Sequence, residues 1–141
     1  MARAILITGT FAIGGAPNST NITYVDYNTY KALEFFVRAV DNATDVFLKG
    51  KNSLNLVMTL LVTLYNKYGV AYKAVVVQPR HISNYLIDGS QFSRVRIPLT
   101  DFGISASFYL GKLAIQNATP PKTFVRFYLD EIRFSTNGNC L

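Results

Sequence analysis

Apolar and polar residues alternate with a period of two along most of this chain. The clearest row lies in residues 54–65, where every second residue is apolar and the intervening residues include asparagine and threonine. Its members are Leu54, Leu56, Met58, Leu60, Val62 and Leu64. Because successive side chains of a strand point to opposite faces, this alternation predicts strands that bury one face. Comparable rows predict strands over residues 3–13, 33–39, 70–77, 94–99, 113–115 and 124–134.

Turn-forming residues separate these rows. They cluster at residues 14–18, 41–44, 66–69, 87–90, 101–103 and 119–121. The segment Asn66–Gly69 joins two long rows and predicts a hairpin turn. No helix is predicted. The only segment that could be helical is Tyr30–Val40, and there Phe35, Phe36 and Val37 favour a strand. About eight strands with short connections predict an all-β fold, a two-sheet antiparallel β-sandwich of jelly-roll type, as a single domain over residues 1–141.

The composition indicates where the protein is located. Of the 141 residues, 50% are hydrophobic and 16% are charged, below the usual charged share of about 25%. Asparagine, threonine, serine, glutamine and tyrosine must therefore supply much of the polar surface, which is typical of extracellular, cell-surface or virion proteins. The net charge of +6 is dispersed, and without a basic run we expect no nucleic-acid partner. The single cysteine, Cys140, has no partner for an internal disulfide.

No segment is predicted to enter a membrane or to serve as a secretion signal. The apolar run Ala4–Thr8 is too short for the core of a signal peptide. The longest apolar stretch, Leu54–Tyr65, is interrupted by polar residues and is shorter than the ~20 residues that span a bilayer. Either the sequence is a trimmed piece of a longer protein, or the protein reaches its destination without a secretion signal, as virion proteins do.

The stretch Phe92–Phe102 reads Phe-Ser-Arg-Val-Arg-Ile-Pro-Leu-Thr-Asp-Phe. This stretch resembles one in jelly-roll carbohydrate-binding modules, and the resemblance extends over residues 31–134, where segments 31–38, 54–77, 113–117 and 127–134 follow the strands of those modules in order and spacing. The resemblance implies a β-sandwich that binds glycans, usually by stacking sugars on tryptophan. This chain contains no tryptophan, and Phe92 stands where the pattern often has one.

Tyrosines supply most of the candidate ligand-binding residues. Two groups stand out in the sequence: Tyr24, Tyr27 and Tyr30, spaced by three residues, and Tyr65, Tyr68 and Tyr72, around the predicted hairpin turn. A tyrosine ring offers a flat face to sugar C–H groups and a hydroxyl for hydrogen bonds. The residues expected to complete a glycan site are Gln78, Arg80, Asn84 and Tyr85. Two alternative roles for these tyrosines are packing as wedges at strand ends and contact with another protein, since tyrosine is favoured in protein–protein interfaces.

Asp130 is the acid with the most informative position. It shares its phase with Tyr128, Ile132 and Phe134, so the pattern turns its carboxylate towards the core, where a charge is costly unless paired. The resemblance implies a structural calcium near this point, with Asp26 as a further candidate ligand. Calcium takes about six to eight oxygens, so loops would have to supply the others. The alternative is an aspartate bonded to arginine or to backbone amides.

Sequons for N-glycosylation occur at Asn18, Asn21, Asn42 and Asn117. The first three fall in predicted loops, where a glycan is tolerated. The last is followed by Pro120, which makes it a poorer acceptor. All four are candidate glycosylation sites in an extracellular protein.

Catalytic residues are scarce. His81 is the only histidine, and a Ser-His-Asp arrangement would have to pair it with Asp88 or Asp101. The sequence has no nucleophile elbow, no zinc-ligand spacing and no glycine-rich phosphate loop. We therefore predict that the protein is not an enzyme.

Two functions fit these observations. The first is a non-catalytic module that binds a polysaccharide or a cell-surface glycan. The alternative is a structural subunit of a virion (a capsid, decoration or spike protein) or of an extracellular filament, which forms homo-oligomers through β-strand and tyrosine-rich contacts. The row over residues 3–13 bears on the alternative, because a long first strand can pair with the sheet edge of a neighbour.

Overall fold

The computed structural model describes residues 5–8, 10–14, 22–40, 58–85, 87, 91–118 and 126–139. These residues form nine strands: β1 (Ile5–Thr8), β2 (Thr10–Gly14), β3 (Thr23–Val25), β4 (Ala32–Val40), β5 (Leu60–Asn66), β6 (Val75–Val76), β7 (Ser93–Pro98), β8 (Phe108–Asn117) and β9 (Arg126–Ser135). Two short 3₁₀ turns, Pro79–His81 and Leu99–Phe102, lie before and after β7. No helix in this part of the chain is long and apolar enough to cross a membrane.

The strands form two antiparallel sheets. Sheet A has the order β1-β9-β4-β7, and sheet B has the order β2-β8-β5-β6, with β3 also paired to β8. Because β2 and β3 pair with successive parts of β8 on the edge opposite β5, they act as one interrupted edge strand. Counted in this way, the strands make two four-stranded sheets in jelly-roll order. The predicted all-β sandwich is confirmed.

The core lies between the sheets and consists of alternate residues of the long strands. Its buried members include Leu33, Phe35, Val37, Val95, Ile97, Phe127 and Leu129 of sheet A and Leu60, Val62, Leu64, Leu113 and Ile115 of sheet B. The predicted inner row of residues 54–65 is confirmed from Met58 onwards, whereas Leu54 and Leu56 lie outside the described residues. Each such side chain contributes about 1.5–3 kcal/mol on burial, so this core dominates the stability of the fold.

The N-terminal row differs from its prediction, because it forms two strands in two sheets. Ile5 and Ile7 of β1 pair with β9 in sheet A, and Phe11 and Ile13 of β2 pair with β8 in sheet B. The chain therefore passes from sheet A to sheet B between β1 and β2. The period of two continues across the crossing because both sheets turn their inner faces to the same core.

The predicted hairpin turn is present between β5 and the segment that leads to β6. The Asn66 side-chain oxygen accepts hydrogen bonds from the backbone N–H groups of Tyr68 (2.9 Å) and Val70 (3.0 Å). Gly69 adopts a left-handed φ of 81°, which glycine reaches without steric cost. The strand predicted over residues 70–77 is shorter than expected, because only Val75–Val76 forms a ladder with β5.

A bulge in β9 overturns the predicted orientation of Asp130. The register pairs Phe36 with Asp130 but Glu34 with Arg133, so β9 has one extra residue opposite β4, and Glu131 takes a left-handed φ of 50°. Asp130 therefore lies in the row of Phe36, on the outer face of sheet A. The prediction that it faces the core is wrong because the bulge changes the phase of the strand.

Candidate binding surfaces

Three exposed tyrosines and one half-buried lysine form a cluster on sheet B and on the hairpin turn that follows β5. Tyr24 of β3 pairs in register with Tyr109 of β8, and their ring centres are 5.0 Å apart. The Nζ of Lys67 lies 4.6 Å from the ring centre of Tyr109 and 5.2 Å from that of Tyr68. At these distances the ammonium group is attracted to the faces of both rings. We call Tyr24, Lys67, Tyr68 and Tyr109 the tyrosine–lysine cluster.

A groove of about 290 Å³ adjoins this cluster at Tyr24. Its lining consists of Thr23, Tyr24, Val25, Tyr30, Arg133 and Phe134. Two members of the first tyrosine group, Tyr24 and Tyr30, thus line the same groove. Tyr27 does not line the groove, and the Nζ of Lys31 lies 4.0 Å from the centre of its ring. Arg133, which the sequence analysis did not single out, adds an exposed cation to the groove.

The second predicted tyrosine group is dispersed. Tyr68 belongs to the tyrosine–lysine cluster, whereas the ring of Tyr65 lies 5.1 Å from the Nζ of Lys112. Tyr72 packs edge-on against Phe108 next to the core, with ring centres 5.4 Å apart. Burial raises the pKa of Tyr72. Tyr72 therefore packs as a wedge beside the core, which is the alternative role for tyrosine, although it lies between β5 and β6 and not at a strand end.

A second cavity, of roughly 310 Å³, lies beside the Pro79–His81 turn. It includes two of the predicted polar residues, Gln78 and Arg80. Arg80 Nη1 contacts Asp101 Oδ2 at 2.9 Å, so the charge of Arg80 is paired with that carboxylate. The other predicted residues, Asn84 and Tyr85, line neither this cavity nor the groove, although the Tyr85 side chain is well exposed.

His81 connects the two 3₁₀ turns and is fully buried. Its Nδ1 accepts a hydrogen bond from the Gln78 N–H at 2.9 Å, so the proton lies on Nε2, which donates to Asp101 Oδ2 at 2.7 Å. Burial lowers the pKa of His81, and the Arg80 charge adds to this effect while the bond to Asp101 opposes it. Both ring nitrogens are engaged, which leaves neither to activate a nucleophile.

Asp101 is held ionised by the same contacts. Burial alone would raise its pKa, but hydrogen bonds from His81 and Arg80, together with their charges, lower it below the ordinary value. Asp101 is one of the two acids expected as possible partners of His81, and the two side chains are in contact. The pair ties the β6–β7 connection to the β7–β8 connection.

The two acids proposed as calcium ligands occupy different surroundings. Asp26 Oδ1 accepts from the Asn28 N–H at 3.0 Å, and its Oδ2 accepts from the Thr29 hydroxyl at 3.2 Å, as expected of a turn residue. Asp130 is buried on sheet A, and its Oδ1 has no hydrogen-bond partner within the described chain. No group of three or more His, Cys, Asp or Glu side chains fit for a metal occurs among the described residues. They do not assemble a calcium coordination set, so the calcium site stays a prediction.

The glycosylation sites also stay predictions. Asn117 is the last residue of β8 and pairs in register with Leu60, so it lies at a strand end. Asn18, Asn21 and Asn42 lie outside the described residues.

A charged row crosses the outer face of sheet A. The buried carboxylate of Glu34 accepts hydrogen bonds from Arg96 Nε and Arg133 Nη2, each at 2.9 Å. The three residues come from neighbouring strands β7, β4 and β9. Burial alone would raise the pKa of Glu34, but the two guanidinium groups outweigh it and hold the pKa below its ordinary value.

β1 and β2 are edge strands of sheets A and B, and together we call them the N-terminal edge. Residues 5–14 contain no charged residue and no proline. Ile5 is 52% exposed and Ile13 is 50% exposed, although their register partners Leu129 and Leu113 are buried. At this edge the last side chain of each inner-face row is therefore about half exposed to solvent. Soluble proteins usually protect such edges with lysine, proline or bulges, and the described residues provide no such protection here.

No family model matches the sequence, and no curated protein matches it at a significant level. Among solved structures, a chain in the "Structure of infectious bursal disease virus Gt strain" is similar over 90% of this chain, with 14% identity and a TM-score of 0.33. The present chain spans 31% of the length of that viral chain. A similarity of this size establishes neither a shared fold nor a shared function. None of these comparisons supports the resemblance to carbohydrate-binding modules, although the β-sandwich that it implied is present.

Proposed function

We propose that this chain is a non-catalytic structural subunit that assembles through its N-terminal edge, as a virion subunit or an extracellular filament protein would. The observation that carries the proposal is the exposure of Ile5 and Ile13 on an edge without charge or proline. Added strands satisfy the unpaired N–H and C=O groups of an open edge, and the exposed apolar side chains become covered at the same time.

The distribution of charge supports the same proposal. The chain carries 14 lysines and arginines against 8 acids, so two copies repel each other over most approaches. The N-terminal edge lacks charge, which makes it a surface where close approach meets no fixed like charge. The jelly-roll architecture itself does not decide between functions, since capsid and lectin domains both use it.

A matched pair of lysine variants tests the proposal. Thr10 on the edge and Gln116 on β8 are register partners, and both are exposed. We expect Thr10→Lys to weaken association roughly ten-fold or more, about 1.4 kcal/mol, and Gln116→Lys to leave it unchanged. Light scattering over a concentration series measures both. Equal effects of the two variants would mean that the edge is not the contact.

Glycan binding is a second candidate, favoured by the tyrosine–lysine cluster and its groove. The cluster exposes the rings of Tyr24, Tyr68 and Tyr109, and Lys67 and Arg133 add cations on either side. Flat rings beside cations suit a polysaccharide that carries acidic groups.

A glycan array that includes uronic-acid and sulfated chains tests this candidate. We expect Tyr109→Ala to abolish binding and Tyr85→Ala to preserve it, because Tyr85 is an exposed tyrosine outside the cluster. The candidate fails if the wild-type protein binds no glycan, or if both variants lose binding equally.

A further inference from the structure

We propose that the partner at the N-terminal edge is a second copy of this chain, with β2 paired antiparallel to β2 of that copy around a two-fold axis at Ala12. This inference rests on the proposed assembly function and specifies its contact. Closed two-fold pairs are the commonest arrangement of homo-oligomers, and they require a surface that is complementary to itself.

The sequence of β2 is complementary to itself in this register. With Ala12 on the axis, Ala12 meets its own copy and Phe11 meets Ile13 of the second copy. Thr10 then meets Gly14. Aromatic and β-branched residues form favourable cross-strand pairs, and the two-fold axis repeats the Phe11–Ile13 pair on both sides of Ala12. No pair in this register brings two charges together.

The faces of the strands also agree. Phe11 pairs with Ile115 and Ile13 pairs with Leu113, so both side chains belong to the inner-face rows of sheet B. A two-fold axis perpendicular to the sheet keeps inner faces on the same side. The Phe11 side chain of the second copy therefore lies next to Ile13 and covers the half of that side chain that is exposed in a single copy.

The other edges of the sandwich are poorer partners for β2. The edge strand β7 carries Arg94 and Arg96 and ends at Pro98, which cannot donate to a ladder. The edge strand β6 pairs over only Val75–Val76. Among the described edges, β2 is thus the one that offers five consecutive residues without charge or proline.

Cysteine cross-linking tests the register. Cys140→Ser removes the only native thiol, and Ala12→Cys is then introduced at the proposed axis. Opposed residues of antiparallel strands have Cα atoms about 4.5–5.5 Å apart, within the range for a disulfide. Thr10→Cys is the control on the same strand, because it lies two residues from the axis and ~14 Å from its own copy.

We expect Ala12→Cys to form a disulfide dimer under mild oxidation at least ten times faster than Thr10→Cys. If light scattering shows an oligomer but Ala12→Cys does not cross-link faster than Thr10→Cys, the self-pairing register is wrong while the assembly function stands. If the wild-type protein stays monomeric at every concentration, the proposed function itself is wrong. Melting curves of both variants confirm that each is folded before oxidation.

Discussion

At the residue scale, the buried carboxylate of Glu34 is stabilised by two arginines. Glu34 is 1% exposed, and such a carboxylate is tolerated only because Arg96 and Arg133 reach it from both neighbouring strands. Arg96 is itself mostly buried, whereas the Arg133 side chain is more than half exposed. The two ion pairs are therefore unequal in their effect on stability, because solvent screens the exposed one.

Substitution at this row separates the two ion pairs. We expect Glu34→Gln to lower the free energy of unfolding by about 3 kcal/mol or more, because it leaves the buried Arg96 charge uncompensated. Arg133→Gln removes only the exposed partner, and we expect a much smaller loss. Urea unfolding measures both changes. Equal losses would contradict the account of unequal pairs.

His81 makes the stability depend on pH in a defined window. Its pKa is lowered on folding, so the unfolded chain binds a proton more readily than the folded protein does. Stability is therefore complete above the unfolded pKa of about 6.5 and decreases as pH falls from there towards the folded pKa. The slope is at most about 1.4 kcal/mol per pH unit for one group.

The single histidine allows a clean measurement of this effect. We expect the melting temperature of the wild-type protein to fall between pH 7 and pH 5. His81→Gln should start lower at pH 7, since the buried contacts are altered, but should show a flatter profile over the same range. The pKa values of Asp101 and Glu34 are also lowered on folding, so these acids likewise stabilise the folded protein more at higher pH. Their stabilisation is lost only in more acidic solution. A flat wild-type profile from pH 7 to pH 5 would rule out the role given to His81.

At the scale of elements, the bulge in β9 decides which residues of that strand reach the core. Phe127 and Leu129 are buried before the bulge, and Ile132 and Phe134 pack against the core after it. Glu131 holds the bulge with a left-handed backbone, which costs a residue with a Cβ about 1–2 kcal/mol. This strain is the local cost of placing both apolar pairs inward.

A glycine at residue 131 tests whether the left-handed backbone of the bulge is strained. We expect Glu131→Gly to raise the free energy of unfolding by up to about 1 kcal/mol, because glycine adopts positive φ without steric cost and loses only part of that gain to unfolded-state entropy. Glu131→Ala is the control, and it should give no gain because alanine keeps the Cβ. Thermal unfolding of the three proteins decides the matter, and a stabilised alanine variant would speak against backbone strain.

Several elements could be predicted from the sequence because they depend on local patterns. The rows around Phe35 and Leu60 identified β4 and β5, and the composition of Asn66–Gly69 identified the hairpin turn. The crossing between β1 and β2 could not be seen, because the alternation of apolar residues is the same on either side of residue 9. The bulge at Glu131 was missed because it changes the phase without interrupting the apolar run.

The candidate surfaces were predictable only in part. Tyr24 and Tyr30 were grouped by their spacing in the sequence, but the groove that they share was not predicted. Tyr109, Lys67 and Arg133 join them only through strand pairing across long separations, and no local pattern records which strands pair. The charged row around Glu34 was not predicted for the same reason, because it forms where β7, β4 and β9 pair.

At the scale of the whole molecule, the N-terminal edge is the feature on which the proposed assembly depends. The two sheets bury a well-packed core, yet both inner rows end in exposed isoleucines on one uncharged edge. A monomeric design would place lysine or proline on that edge. The tyrosine–lysine cluster lies on the outer face of sheet B, so an assembled form leaves the rings of that cluster in place to contact a ligand.

The most direct test of assembly through the N-terminal edge is hydrogen–deuterium exchange as a function of protein concentration. In a single copy the outward amides of residues 10–14 face solvent and exchange fast, whereas paired amides in an assembled edge are protected. We predict that exchange in the peptide covering residues 10–14 slows as concentration rises, while exchange in the interior strand β5 does not change. If the protein associates and the exchange of residues 10–14 stays the same at all concentrations, the edge is not the contact and the account is wrong.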